Sequence, residues 1–529
     1  MNNTPENIWK EYQKCIDYKS AIELFDNVEM NRNFYIGKQW EGVNAPNIEK
    51  PVINIMSKFV DYATSMIISD DIAVSCDIDE SVEENTRNAI EYITSNLINQ
   101  VFEQTKFKRK TRKFIKDAAI TGDGFFYWYY DPKKNPRGKY KGGICLEHIE
   151  STNIGFGNPA EIEVEKQPYI IIINKLPTEE VKEMAKKYGV SEEDLGQIKK
   201  DGIDYNQTQS SARAIVDYTT VITKFFKQND TVWAIKTVQD LVIREEWDTQ
   251  TQLYPIAHMP WIQVENSYHG VSKLTEVRQN QIMINKYYMM LNQFIKLMAF
   301  PKIVYDRTKI KEWNNKIGSA LGVDGDPNQA FVSSTPTVQL SAQVITLIQD
   351  LIEKTKEGLG IYDVALGNAR PDNTSAIIAL QKTASQPLEF QRLEYLQVTE
   401  DSVRIIIDIM SAFFGTRDLP YETKDGKGIL PFNFKDLDFN EFGMNVEVGQ
   451  AAYWAEITQI QTLDNMFNMK IIPDAITYLE QLPNGILKDK GEIIAAIKRI
   501  VQEQQDEALA MQMMQQASQG VQGNEVPMV

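Results

Sequence analysis

Between Gly270 and Pro301 the apolar residues follow a rhythm that leaves little choice of structure. Leu274, Val277, Gln281, Ile284, Tyr288, Leu291, Ile295 and Met298 recur at alternating spacings of three and four, the signature of a helix packed along its length. A second set (Ile282, Met283, Tyr287, Met289, Met290, Phe294 and Leu297) widens the stripe well beyond one seam. A helix this apolar has to be covered on more than one side. Pro301 stops it, because proline lacks the amide a helix interior needs.

A second helical pattern runs from Ala342 to Glu357, with Val344, Ile345, Leu347, Ile348, Leu351 and Ile352 on one broad face. It ends at Gly358-Leu359-Gly360. A polar loop carrying Gly367, Arg370 and Asn373 follows, then a long helical pattern to Phe414 that is broken once, by Pro387. Pro387 cannot bond the carbonyl of Thr383, an omission that costs a helix interior ~3 kcal/mol, so a kink is expected there. Two helices bracketing such a loop present it at the end of a rigid lever. Between the two apolar helices, Lys302 to Leu340 is a turn-rich excursion whose flanks, Lys302–Tyr305 and Ala330–Val332, have the texture of short paired strands.

The N-terminal half alternates helix and strand signals. Helical periodicity covers Ile8 to Phe34, Lys58 to Ser69 and Glu83 to Ile120. Strands are predicted at Gly124–Tyr130, Ile144–Ile149 and Tyr169–Asn174. A three-strand meander follows over Ala214–Trp247, with turns at Gln228–Asp230 and Gln239-Asp240. A helix inserted from Pro177 to Tyr188 has Thr178 as its expected N-cap and Gly189 at its end. After Phe414, a strand is expected at Met444–Val448, then helix from Ala451 to Gln505 and a Gln- and Met-rich tail. The fold class is α+β, predominantly helical.

Composition narrows the chemistry. The 529 residues carry 56 Lys and Arg against 73 Asp and Glu, a formal charge of −17. That balance argues against a surface that grips phosphates broadly by counterion release. The one dense basic run, Lys106 to Lys113, is either a solvated helix face or a contact with acidic protein or DNA. With only Phe107 among its residues it offers no stacking ladder for single strands. Cys15, Cys76 and Cys145 form no CxxC pair, and His148, His258 and His269 form no HExxH pair. Asp77, Asp79 and Glu80 lack the glycine and terminal glutamate of a calcium loop. No GxxxxGK[ST], GxGxxG or GxSxG stretch occurs, and Gly122-Asp-Gly124 fits a plain helix-to-strand turn. No catalytic residue, cofactor or metal is therefore expected. The opening Met1–Glu6 carries no secretory signal, and Tyr169–Ile173 is far too short to span a bilayer, so no membrane partner is expected.

Taken in order, these pieces resemble the portal proteins of tailed double-stranded DNA bacteriophages. The resemblance is carried by an FY-G-QW element (Phe34-Tyr35, Gly37, Gln39-Trp40), a Pro…Asn element (Pro51, Asn54) and a Gly-x-Ser turn (Gly270, Ser272) opening the apolar helix. It extends over nearly the whole chain, and its specificity lies in order and spacing. It implies an α/β wing over 1–270, a stem helix over 271–299, a small clip over 300–340 and a second stem helix over 341–358. A tunnel loop over 359–374, a kinked helix with a wing return over 375–450, a helical crown over 451–505 and a flexible tail over 506–529 complete it.

The implied function is a channel at one capsid vertex through which genomic DNA is packaged and ejected, without catalysis. The partners implied are eleven further copies in a ring of twelve, the duplex, the terminase large subunit, major capsid and scaffolding proteins, and tail adaptors. Such a ring is assembled in the host cytoplasm and resides in the virion. Leu274, Val277, Ile284, Tyr288, Leu291 and Ile295 would then meet neighbours in the ring. Asn368, Arg370, Asp372 and Asn373 would face the channel, with Arg370 either touching phosphate or pairing with Asp372 or a neighbour's carboxylate. Another virion structural component, such as a minor capsid or internal core protein, is the alternative. A nucleic-acid enzyme using Asp117 and Asp123 is a third.

Overall fold

A computed structural model describes residues 3–46, 48–68, 72–77, 84–136, 140–200, 217–298, 303–314, 322–329, 332–334, 341–361, 386–423, 426–437, 445–450, 462–469, 472, 477–479 and 497. In chain order the elements are α1 (Pro5–Ala21), α2 (Leu24–Tyr35), α3 (Ile55–Ile67), β1 (Ile72–Asp77) and α4 (Glu84–Tyr92). A π-helical turn, Ile93–Leu97, leads into α5 (Ile98–Thr105) and α6 (Phe107–Thr121). Next come β2 (Asp123–Asp131), β3 (Gly143–Ile149), β4 (Ile154–Phe156), β5 (Tyr169–Pro177), α7 (Thr178–Lys187), β6 (Tyr218–Gln228), β7 (Thr231–Thr237), β8 (Val242–Asp248) and β9 (Ile256–Pro260). The second half holds α8 (Lys273–Met298), β10 (Ile303–Tyr305), β11 (Val332–Ser334), α9 (Ala342–Leu359), α10 (Glu389–Phe413), β12 (Thr416–Thr423), β13 (Gly426–Asn433) and β14 (Asn445–Gln450). The class is mixed helix and sheet, as composition and periodicity indicated.

Two antiparallel sheets form the body. One is three-stranded in the order β3-β2-β9; the other is a five-stranded meander, β4 to β8 in sequence. Successive strand residues point to opposite faces, and both faces of the meander are buried. Ile170, Ile172, Phe225, Val232 and Ala234 meet Phe125, Ile149 and Ile256 of the smaller sheet. Ile171, Ile173, Ile222, Phe226 and Ile235 lie instead under α1, through Ile8 and Cys15. The unbroken isoleucine run of β5 has its reason here, since a strand covered on both sides need not alternate. Val181 and Ala185 of α7 close the far end against Val221, Val238 and Ile243.

Several boundaries differ from expectation for identifiable reasons. The helical pattern from Ile8 to Phe34 is two helices, parted at Glu23, which has φ +54°. Likewise Lys106, at φ +55°, ends α5 and begins α6 within the region expected as one helix. Thr178 is the first helical residue and not the cap: its hydroxyl donates to the Asp217 carbonyl at 3.0 Å and lies 2.9 Å from the Thr219 hydroxyl. Strands β12 and β13 pair antiparallel from Thr416–Asn433 to Thr423–Gly426, a ladder that periodicity did not reveal.

The chain divides into two compact units, one of residues 1–69 and 74–448, the other of 70–73 and 449–529. Within the second, Leu463 and Ile472 are buried with Tyr478 and Leu479 packed against them, and the Tyr478 hydroxyl donates to Asp464. The described residues 462–468 and 477–479 there are helical. The remainder of the expected crown and the tail after 505 lie outside the described residues.

Candidate assembly interface

The helix α8 leaves the body at a junction built from glycine and one buried carboxylate. Gly122, at φ +103°, closes α6, and its backbone lies directly against Gly270. A Cβ added to Gly270 would sit 2.6 Å from the Gly122 carbonyl oxygen, and one on Gly122 would collide with the Gly270 carbonyl. The next residue, Asp123, is fully buried. Its Oδ1 accepts from the Gly270 amide at 2.8 Å and lies 3.1 Å from His258 Nε2, while Oδ2 lies 2.7 Å from His269 Nδ1. Burial alone would raise this carboxyl, but His269 and His258 outweigh it and hold it below the usual range. Burial depresses His269 despite the carboxylate beside it, since its Nε2 is enclosed with no hydrogen-bond partner for a second proton. Ser272 then caps α8: its Oγ accepts from the Leu274 amide at 3.1 Å and donates to the Ala119 carbonyl at 2.5 Å.

About two turns further on, the FY-G-QW and Pro…Asn elements grip the same helix. Gln281 and Asn285, both buried, occupy adjacent turns of α8. Gln281 accepts from the Ile55 amide at 3.1 Å and donates to the Ile53 carbonyl at 2.6 Å. Asn285 accepts from the Ile53 amide at 3.2 Å and donates to Gln39 Oε1 at 2.5 Å. Gln39 in turn donates to the Phe34 carbonyl at 3.0 Å, and Trp40 donates to the Pro51 carbonyl at 2.9 Å. Asn54 donates to the Phe34 and Tyr35 carbonyls and caps α3 by accepting from Ser57. Gly37, at φ +86°, makes the turn that brings Gln39 and Trp40 into place. Scattered over some 250 positions, these motif residues form one buckle around α8.

Helix α9 packs antiparallel to α8, its Gly358 facing Val277. At the root of this hairpin Leu274, Val277 and Ile284 are buried within the chain, as are Thr355 and Leu359. Those three stripe residues are thus covered by the chain itself, leaving no surface for a neighbour. Tyr288 and Leu291 are half-buried, and Ile295 is exposed. The far end is bare on both helices: Met290 is 58% exposed and Leu297 60% on α8, with Val344, Ile345 and Leu347 exposed on α9. Beyond it β10 pairs with β11, a strand pair displaced by two residues on its second flank from the one expected.

The other end of α9 returns to the body. Gly360 lies against Pro387, where an added Cβ would be 2.6 Å from the proline ring, so Ile361 and Gln386 stand close together. Pro387 sits in a 3-10 turn, Gln386–Leu388, that opens α10. Asn368, Arg370, Asp372 and Asn373 lie outside the described residues. Asp408 anchors α10, accepting from the Gln252 and Leu253 amides at 2.8 and 2.9 Å.

The remaining candidates have structural partners. Arg32 reaches Asp117 at 3.3 Å and Glu150 at 3.2 Å, and His148 lies 3.4 Å from Asp117. Lys106 before α6 and Lys108, Arg109, Arg112 and Lys113 on it are exposed, while Phe107, Thr111 and Phe114 face inward. Among the described residues no group of three His, Cys, Asp or Glu is placed to hold a metal ion, and no helix is long and apolar enough to cross a membrane. The chain matches no family model and no curated protein.

Proposed function

We propose that this chain is a portal-type subunit, assembling as a ring of twelve around a channel for double-stranded DNA. The observation that carries the proposal is the α8–α9 hairpin. Its root is locked by Asp123, Gln281 and Asn285, and its far end carries large apolar side chains on both helices that no described residue of its own chain covers. Contiguous exposed apolar surface of this kind marks an association site. A rigid hairpin repeated around an axis supplies each copy with the cover it lacks, as a heterologous, closing interface does.

In this account the tunnel loop, residues 359–374, faces the channel, and Arg370 supplies one phosphate contact per subunit, with Asn368 and Asn373 donating to the backbone. The acidic total keeps a passing duplex from being held. The β10–β11 region docks the terminase motor, which supplies the work, and later the tail adaptors. Sedimentation of the purified full-length protein tests the assembly directly. The expected species has about twelve times the 60.6 kDa of one chain. A monomer at micromolar concentration contradicts the proposal.

A further inference from the structure

A cleft of 690 Å³ opens between the two sheets where their shared apolar core ends. Its floor continues the row Val232, Ala234, Lys236 along one face of β7; the first two are core residues and the third is a half-buried ammonium. Lys236 stands directly opposite Arg244 of β8. Like charges in that register destabilise a sheet. Burial depresses the Lys236 ammonium, and Arg244 depresses it further. Among the described residues Lys236 forms no hydrogen bond or ion pair. Arg244 lies 3.7 Å over the Trp247 ring and 5.1 Å from that of Tyr188, contacts that leave its charge uncompensated. The Tyr127 ring lines the same cleft; burial and then Glu147 raise its hydroxyl, and Arg244 offsets them only in part. Two acids line the cleft, Glu147 and Asp248, both exposed; Glu147 accepts from the Tyr129 hydroxyl at 2.7 Å and partly offsets the depression of Lys236.

In a chain with seventeen more acids than bases, two adjacent half-buried cations that, among the described residues, form no ion pair with the exposed acids at the rim, Glu147 and Asp248, are an arrangement that an anion would complete. We propose that this cleft binds a small phosphate-bearing ligand between the Lys236 ammonium, the Arg244 guanidinium and the Tyr127 hydroxyl. A dianion matches two cations, the guanidinium offers a two-pronged donor and the ammonium a point charge. The phenol adds a third donor. The volume falls within the ~300–1,000 Å³ of small-molecule sites, and the aromatic walls leave room for a flat ring as well as a phosphate. Free phosphate and a nucleotide share this chemistry.

Calorimetric titration of the full-length protein with inorganic phosphate, deoxyadenosine monophosphate and deoxyadenosine separates them. Both phosphates are expected to bind and the nucleoside is not. Lys236→Gln and Arg244→Gln are each expected to weaken phosphate binding at least about tenfold, the scale of one charge-assisted contact. Without ligand, Lys236→Gln is expected to melt at the same temperature or higher, since it removes a repulsive, desolvated charge. Tighter binding of the nucleotide than of phosphate assigns the aromatic walls to the base; equal binding assigns the site to free phosphate. Both support the proposal. Absence of binding by either phosphate overturns it, as does unchanged affinity in folded variants.

Discussion

Asn285 divides its amide between two segments: Oδ1 accepts from the Ile53 amide and from Gln281, and Nδ2 donates to Gln39. Replacing it by leucine, of similar size, would leave the Ile53 amide and Gln39 Oε1 without a partner and remove one of the hydrogen bonds of Gln281. Asn285→Leu is expected to destabilise the chain by about 2–3 kcal/mol, because each orphaned buried group costs ~1–3 kcal/mol. Scanning calorimetry against wild type checks this; an unchanged melting temperature would mean the buckle does not hold α8. Asp408 makes a pH-dependent case. Burial raises its carboxyl to about 6, against 3.8 ordinarily, in spite of the Leu253 and Gln252 amides. A raised folded value contributes stability below the unfolded one, and that contribution is lost as pH rises through 6. Asp408→Asn keeps an acceptor for both amides and does not ionise. It is therefore expected to gain on wild type between about pH 4 and pH 7, by up to about 3 kcal/mol. Melting curves across that range would show the gap widening with pH; a constant gap would contradict the assignment.

Among the elements, the hairpin α8–α9 is where burial and exposure divide. The exposed positions Met290 and Leu297 are the ones available to a second chain, whereas Leu274 and Ile284 belong to the chain's own core. The double variant Met290→Gln, Leu297→Gln is expected to leave the melting temperature of the single chain nearly unchanged, as surface substitutions do within about 0.5 kcal/mol. It is expected to abolish the large species in sedimentation. Assembly as in wild type would move the interface elsewhere. Much of this layer was legible in the sequence, because periodicity marks helices and strands directly: α8, α9, β5 and the β6–β8 meander fall close to where spacing put them. The breaks at Glu23 and Lys106 were not, since a left-handed turn at a non-glycine residue has no compositional signature. Nor was the Lys236–Arg244 pair, which depends on strand register across a bulge. Gln281 had a visible sign: it and Asn285 are polar residues four apart in a helix otherwise striped with apolar ones.

For the molecule as a whole, charge and the fixed hairpin serve one purpose in this account. A body of two sheets carries a hairpin whose root is fixed by hydrogen bonds that few substitutions would leave intact, so the far end is presented at a defined angle. A surplus of seventeen negative charges suits a wall past which a duplex slides. The basic face of α6 does not alter that balance, being confined to one helix. The most direct test is electron microscopy of the purified full-length protein, with class averages taken along the particle axis. The expected result is rings of about twelve-fold symmetry with a channel wide enough for a duplex of ~20 Å, the order of width set by B-form groove dimensions. Monomers, or closed dimers without a channel, would contradict it.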